Sequence, residues 1–137
     1  MIEWFSVTLR CYHPEWDPGQ ISTQLGMTPE VSWKAGDQRR IPSGETLSGR
    51  CRSTYWCSSK LLGSWDHPIA TLTEYIKLLE GKREFIQNLI SSGGRIEFFL
   101  GWGLPGPSGG QVLDVDLLGR LGSLGINLAI DVYAKER

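Results

Sequence analysis

The side chains able to do chemistry in this chain are few, and their spacing is unhelpful to catalysis. Nucleophilic catalysis needs a base beside a hydroxyl or thiol, usually a histidine. The chain has two, His13 and His67, each next to a proline at the edge of an element. A local cap or surface position is the ordinary role of such a residue. The three cysteines, Cys11, Cys51 and Cys57, are odd in number and lack CxxC spacing. Neither a disulfide framework nor a structural zinc site is expected, and reduced thiols fit a cytosolic protein. Asp114 and Asp116 are paired acids, but they stand where a helix start favours acids for its dipole. The phosphate-cradling patterns GxGxxG and GxxxxGK[ST] do not occur, and GPSGGQ at 106–111 lacks the required strand-to-helix context. No catalytic residue, cofactor or metal is assigned, and the chain is expected not to be an enzyme.

Binding chemistry is easier to place. The stretch WKAGDQRR, residues 33–40, sets Trp33, Lys34, Asp37, Arg39 and Arg40 around a Gly36-Asp37 turn. Between residues 33 and 52 five cations (with Arg50 and Arg52) face two anions, Asp37 and Glu45, a local charge of +3 in a chain of net charge -1. The remainder therefore carries -4. Arg39 and Arg40 can present forked donors to carboxylate or phosphate. Trp33 either anchors the loop in the core, as part of a solvated hairpin, or offers a stacking plate.

These residues depend on the elements around them. Three segments alternate at period two. Phe5, Val7, Leu9 and Cys11 share one face against Trp4, Ser6, Thr8, Arg10 and Tyr12. Ile96, Phe98, Leu100 and Trp102 alternate with Glu97, Phe99 and Gly101, and Ile126, Leu128, Ile130 and Val132 with Asn127, Ala129, Asp131 and Tyr133. Such alternation predicts strands buried on one face. A weaker strand spans 54–61. A helix is predicted from Asp17-Pro18, with Asp17 capping and Gly26 closing. A long helix starts near Asp66-His67-Pro68, carries Ile69, Leu72, Ile76 and Leu79 as one stripe, is open to a break at Gly81, and continues to residues 91–94. A short one runs from Asp114 to about Gly122.

One-sided strands separated by helices predict a single α+β domain over 1–137. It has two layers: a mainly antiparallel or mixed sheet of four or five strands, and helices on one face. A ferredoxin-like arrangement is one order compatible with this, since the sequence does not set strand order. Residues 27–53 hold either an unresolved hairpin or a binding segment. If the apolar faces meet the helices, Trp4, Arg10, Tyr12, Phe99, Asp131 and Tyr133 point the other way. They form a surface for bases or a partner unless residues 27–53 fold across it.

Of 137 residues, 40% are hydrophobic and 21% charged, an ordinary globular balance. A net charge of -1 argues against a dedicated non-specific nucleic-acid binder. The first residues, MIEWFSVTLRCYH, lack a signal-peptide pattern, and no apolar run approaches a membrane span.

The ordered set SVTLR, QLGM followed by Pro29, KAGD, YWCSSK, HPIATLTEYIKLL and LLGRLGSLGINLAIDVYA resembles a bacterial family known as domain of unknown function 4279. The resemblance implies a fold and a bacterial cytosolic setting, and it supplies no catalytic residues. The expected function is a protein–protein interaction module with an unknown protein partner, an immunity-type inhibitor being its concrete form. The alternative is a nucleic-acid, nucleotide or anion-binding domain. The expected binding residues are Trp33, Lys34, Asp37, Arg39, Arg40, Arg10, Tyr12 and Tyr133. A homodimer through the open sheet face would account for the aromatics equally well.

Overall fold

The computed structural model describes residues 4–41, 43–61 and 67–134. In chain order the elements are β1 (Trp4–His13), α1 (Pro18–Leu25), β2 (Pro29–Trp33), β3 (Gln38–Arg40), β4 (Thr46–Arg50), β5 (Thr54–Ser58), α2 (Pro68–Glu80), α3 (Arg83–Ser91), β6 (Arg95–Gly103), α4 (Val115–Leu124) and β7 (Asn127–Tyr133). Five strands form a mixed sheet in the order β2-β5-β1-β6-β7, and β3 and β4 form a separate hairpin. β1 runs antiparallel to both its neighbours, whereas β6 and β7 are parallel and joined through α4. That parallel pair separates this sheet from the all-antiparallel ferredoxin-like order. The α+β expectation of two layers holds.

The alternating residues land as their period requires. Val7, Leu9 and Cys11 of β1, Trp56 of β5 and Ile96, Phe98 and Leu100 of β6 are buried in one cluster with the inner stripes of all four helices. Every helix therefore packs on the same face. A buried aromatic removes ~150–250 Å² from water, so fully enclosed Trp56 contributes about 4–6 kcal/mol gross. Its indole N–H donates to Ser22 Oγ on α1 at 2.9 Å, so the ring is buried without orphaning its donor.

Helix ends follow their caps. Asp17 accepts from Gly19 N at 2.9 Å and Asp114 from Leu117 N at 2.9 Å. The long helical stretch divides at Gly81. The amides of Gly81 and Lys82 bond back three residues, to Leu78 O and Leu79 O, and α3 begins afresh at Arg83. The Arg120 guanidinium grips Glu80 through Nε (3.2 Å) and Nη2 (2.6 Å), tying this break to α4 and holding the Glu80 carboxyl below its ordinary range. The predicted strand 54–61 ends earlier, at Ser58, and Asp66 lies outside the described residues. Ile130 and Val132 sit on the helix side of β7 as their alternation requires, yet both are exposed. The helices do not reach over that end of the sheet's last strand. Among the described residues no helix is long and apolar enough to cross a membrane.

Candidate functional site

Residues 27–53 resolve into an edge strand and a hairpin. β2 joins the sheet beside β5, and β3 and β4 then leave it as an arm exposed along its length. Among the described residues the segment pairs at the sheet edge and with itself, and β3 and β4 pair with no strand of the five-stranded sheet. Between β2 and β3 the chain turns through Gly36, whose φ of 89° an L side chain rarely adopts. Asp37 builds this turn: its carboxylate accepts from Lys34 N at 2.9 Å while its amide donates to Lys34 O at 3.0 Å. Gly36 N to Cys51 O and Cys51 N to Asp37 O, both 2.8 Å, staple the turn to the strand leaving the hairpin. Ala35 N donates to Thr54 Oγ1 at 3.0 Å, and that hydroxyl donates to Trp16 O. Trp33 Nε1 donates to Ser53 O at 3.1 Å. The loop is thus preorganised, which lowers the ordering cost of binding.

Two clefts flank this loop and share Trp33 and Arg39. One, of about 600 Å³, also includes Arg40 and Leu47. The other, of about 590 Å³, includes Arg50 and Arg52. Arg39 Nη1 donates to Ser48 O at 3.2 Å and Arg50 Nη1 to Gly36 O at 3.0 Å. One carbonyl orients each guanidinium and leaves its other N–H donors for a ligand. Trp33 is 41% exposed, so it is a wall of both clefts rather than a core anchor. Lys34 turns away, its ammonium 3.7 Å from Asp17 at the start of α1.

The open sheet face continues from Trp33. Strand register aligns Trp33, Tyr55, Tyr12 and Arg95 across β2, β5, β1 and β6. Ring centroids are 4.7 Å apart for Trp33–Tyr55 and 5.1 Å for Tyr55–Tyr12, and the Arg95 guanidinium lies 4.0 Å over Tyr12. Burial, with neighbouring Cys57, pushes the Tyr55 phenol above its ordinary value, so it stays neutral. In the next rows Arg10 lies 3.8 Å over the Phe99 ring and 4.0 Å from the Glu97 carboxylate. Among the described residues, Arg10 Nε and Thr8 Oγ1 find no hydrogen-bond partner. Tyr133 pairs with Trp4 at 5.5 Å on the opposite edge of the sheet from Trp33.

Of the residues the sequence singled out, the fold therefore gathers Trp33, Arg39 and Arg40, and places Arg10 and Tyr12 on the continuous face beside them. Asp37 serves the turn, Lys34 points aside, and Tyr133 stands apart. Tyr55, Arg50, Arg52 and Arg95 were absent from the expected set. Tyr55 was legible, since alternation in TYWCS places it opposite buried Trp56. Arg95 was visible only as the residue before Ile96.

The histidines stand as follows. His13 is buried, its Nδ1 accepting from Glu15 N and Trp16 N, both 3.0 Å, and its Nε2 lying 2.8 Å from Ser92 Oγ. Ser92 Oγ spends its hydrogen on Asn88 O (2.7 Å), so His13 is the neutral Nε2–H tautomer. Burial holds it below its ordinary pKa, partly offset by Glu15. His67 occupies the N-cap position of α2 without a side-chain cap bond. Burial also pushes the Cys11 thiol up, away from thiolate chemistry.

The model for the family described as domain of unknown function (DUF4279) matches residues 3–135. The chain belongs to this family. No curated protein and no solved structure matches it. The family's description carries no activity, so a function for this member rests on the site just described.

Proposed function

We propose that this member of the family is a non-catalytic binding module whose partner is a protein presenting an acidic surface. The observation that carries the reading is the pinned loop, which holds Trp33 between two clefts edged by Arg39, Arg40, Arg50 and Arg52. Beside it runs the half-buried row of Tyr55 and Tyr12. Trp, Tyr and Arg are the residues that dominate interface energies when set on a rigid frame. An immunity-type inhibitor in a bacterial cytosol is the concrete form, because it needs stoichiometric binding and no chemistry.

The uncovered sheet also suits the alternative, a nucleic-acid or nucleotide ligand. The ring faces weigh against it. Base stacking needs open aromatic faces, whereas guanidinium groups already cover Tyr12 and Phe99.

The test is capture of partners from native lysate by the wild type and by the Arg39→Glu/Arg40→Glu double variant. One protein retained at near-equal stoichiometry by the wild type and lost by the variant supports the proposal. Equal retention by both removes the loop's role. Salt-sensitive quenching of tryptophan fluorescence by single-stranded oligonucleotides would favour the alternative.

A further inference from the structure

The two edges of the five-stranded sheet are built differently. β2 begins at Pro29, which has no N–H to offer, and its register breaks between Pro29 and Val31. Proline and bulges are the devices that blunt an edge against unwanted pairing. β7 has neither. It runs in unbroken register with β6 from Asn127 to Tyr133, and among the described residues no strand lies on its outer side. It contains no proline, glycine or lysine, and its single charge is Asp131. Apolar residues are exposed on both of its faces: Ile130 and Val132 are 38% and 55% exposed on the helix side, and Tyr133 is exposed on the other, beside exposed Asn127 and Asp131.

We infer that β7 is a homodimerisation edge, two copies pairing antiparallel about a two-fold axis into one continuous sheet. An occupant of this edge must itself be a strand with an unpaired row of backbone groups and apolar residues on both faces. β7 of a second copy meets that description, and β2 does not. Charge allows the match. With the axis through Ile130, Asp131 lies opposite Ala129 of the second copy, Leu128 opposite Val132, and Asn127 opposite Tyr133, so no acid faces an acid. Pairing completes the backbone hydrogen bonds of the edge and covers Val132, which α4 leaves bare. Since β2 lies at the other end of the strand order, the two Trp33 loops then sit at opposite ends of the joined sheet. The dimer presents them bivalently, with the avidity such an arrangement brings.

The experiment is sedimentation velocity on the full chain over a wide concentration range, for the wild type, Val132→Lys and Ile130→Lys. Both positions are exposed in the single chain, so the lysines leave its core intact, which far-ultraviolet circular dichroism checks. The wild type is expected to be dimeric and each lysine variant to dissociate at least about tenfold more readily. In the wild type, outward β7 amides gain protection from hydrogen exchange as concentration rises. A wild type that stays monomeric throughout overturns the inference. So does a dimer that survives both lysines, or one lost instead on Tyr12→Ala at the open face.

Discussion

Replacing Thr54 with valine tests whether the arginine loop is held in place by a single hydroxyl. Thr54 is fully buried. Its Oγ1 accepts from Ala35 N at 3.0 Å and donates to Trp16 O, so it joins the WKAGD loop, β5 and the approach to α1. Valine has nearly the same shape and fills the same space, but it makes neither bond. Each neutral hydrogen bond contributes about 1 kcal/mol net, and an orphaned buried partner costs toward the upper end of about 1–3 kcal/mol. The expected loss is therefore about 2–3 kcal/mol. At about 3–5 °C per kcal/mol for a domain of this size, Tm drops by roughly 6–15 °C. Urea unfolding measures the first quantity and a thermal melt the second. Thr54→Ser is the control, since it keeps the hydroxyl and removes only a methyl, at about 1 kcal/mol. Exchange of the Ala35 amide should accelerate in the valine variant and not in the serine one. If valine is as stable as wild type while serine is destabilised, methyl packing rather than hydrogen bonding holds the loop, and the reasoning is wrong.

Ser22→Ala should cost about 1–3 kcal/mol in urea unfolding, because the buried Trp56 indole loses the acceptor 2.9 Å away. In a Trp56→Phe background, which lacks the indole N–H, the same Ser22→Ala change should cost less, and a double-mutant cycle reads the difference. Gly94→Ala should destabilise by about 1–3 kcal/mol or more, since a Cβ there would lie 2.7 Å from both Leu89 O and Tyr12 O, and backbone does not yield readily. His13 gives a pH dependence. Its folded pKa is lowered by burial, so the unfolded chain binds the extra proton first. Its contribution is complete above the ordinary value of about 6.5 and is lost as pH falls through the lowered folded value. His13→Asn should flatten that part of the stability–pH curve measured by urea titration. An unchanged slope would mean that the imidazole is free to charge in the folded state.

Local pattern determined much of this protein. Period-two alternation placed β1, β6 and β7 and their inward faces, because a strand's side chains must alternate whatever lies beside it. Asp17, Asp114 and Gly26 marked helix ends because the orphan groups of a helix terminus need local partners. The DUF4279 motifs, spread in order along the chain, led to the same family whose model spans residues 3–135. The WKAGDQRR turn and its charge were legible too, since turn residues and arginines act through their own chemistry.

Only tertiary structure decided the rest. Whether Trp33 is a core anchor or a cleft wall depends on where β2 docks, and that is set by pairing with β5, where Trp33 lies opposite Tyr55. Lys34 and Asp37 read as ligand-facing from their types, yet backbone geometry turns one to Asp17 and closes the other on the turn. The row Trp33–Tyr55–Tyr12–Arg95 draws on four strands, so no window of sequence contains it. Ile130 and Val132 have a core pattern but remain exposed, because burial requires a covering element and β7 is the last strand of its sheet. Side-chain direction follows from the local chain. What a side chain meets there is settled by strand order, which is a property of the whole fold.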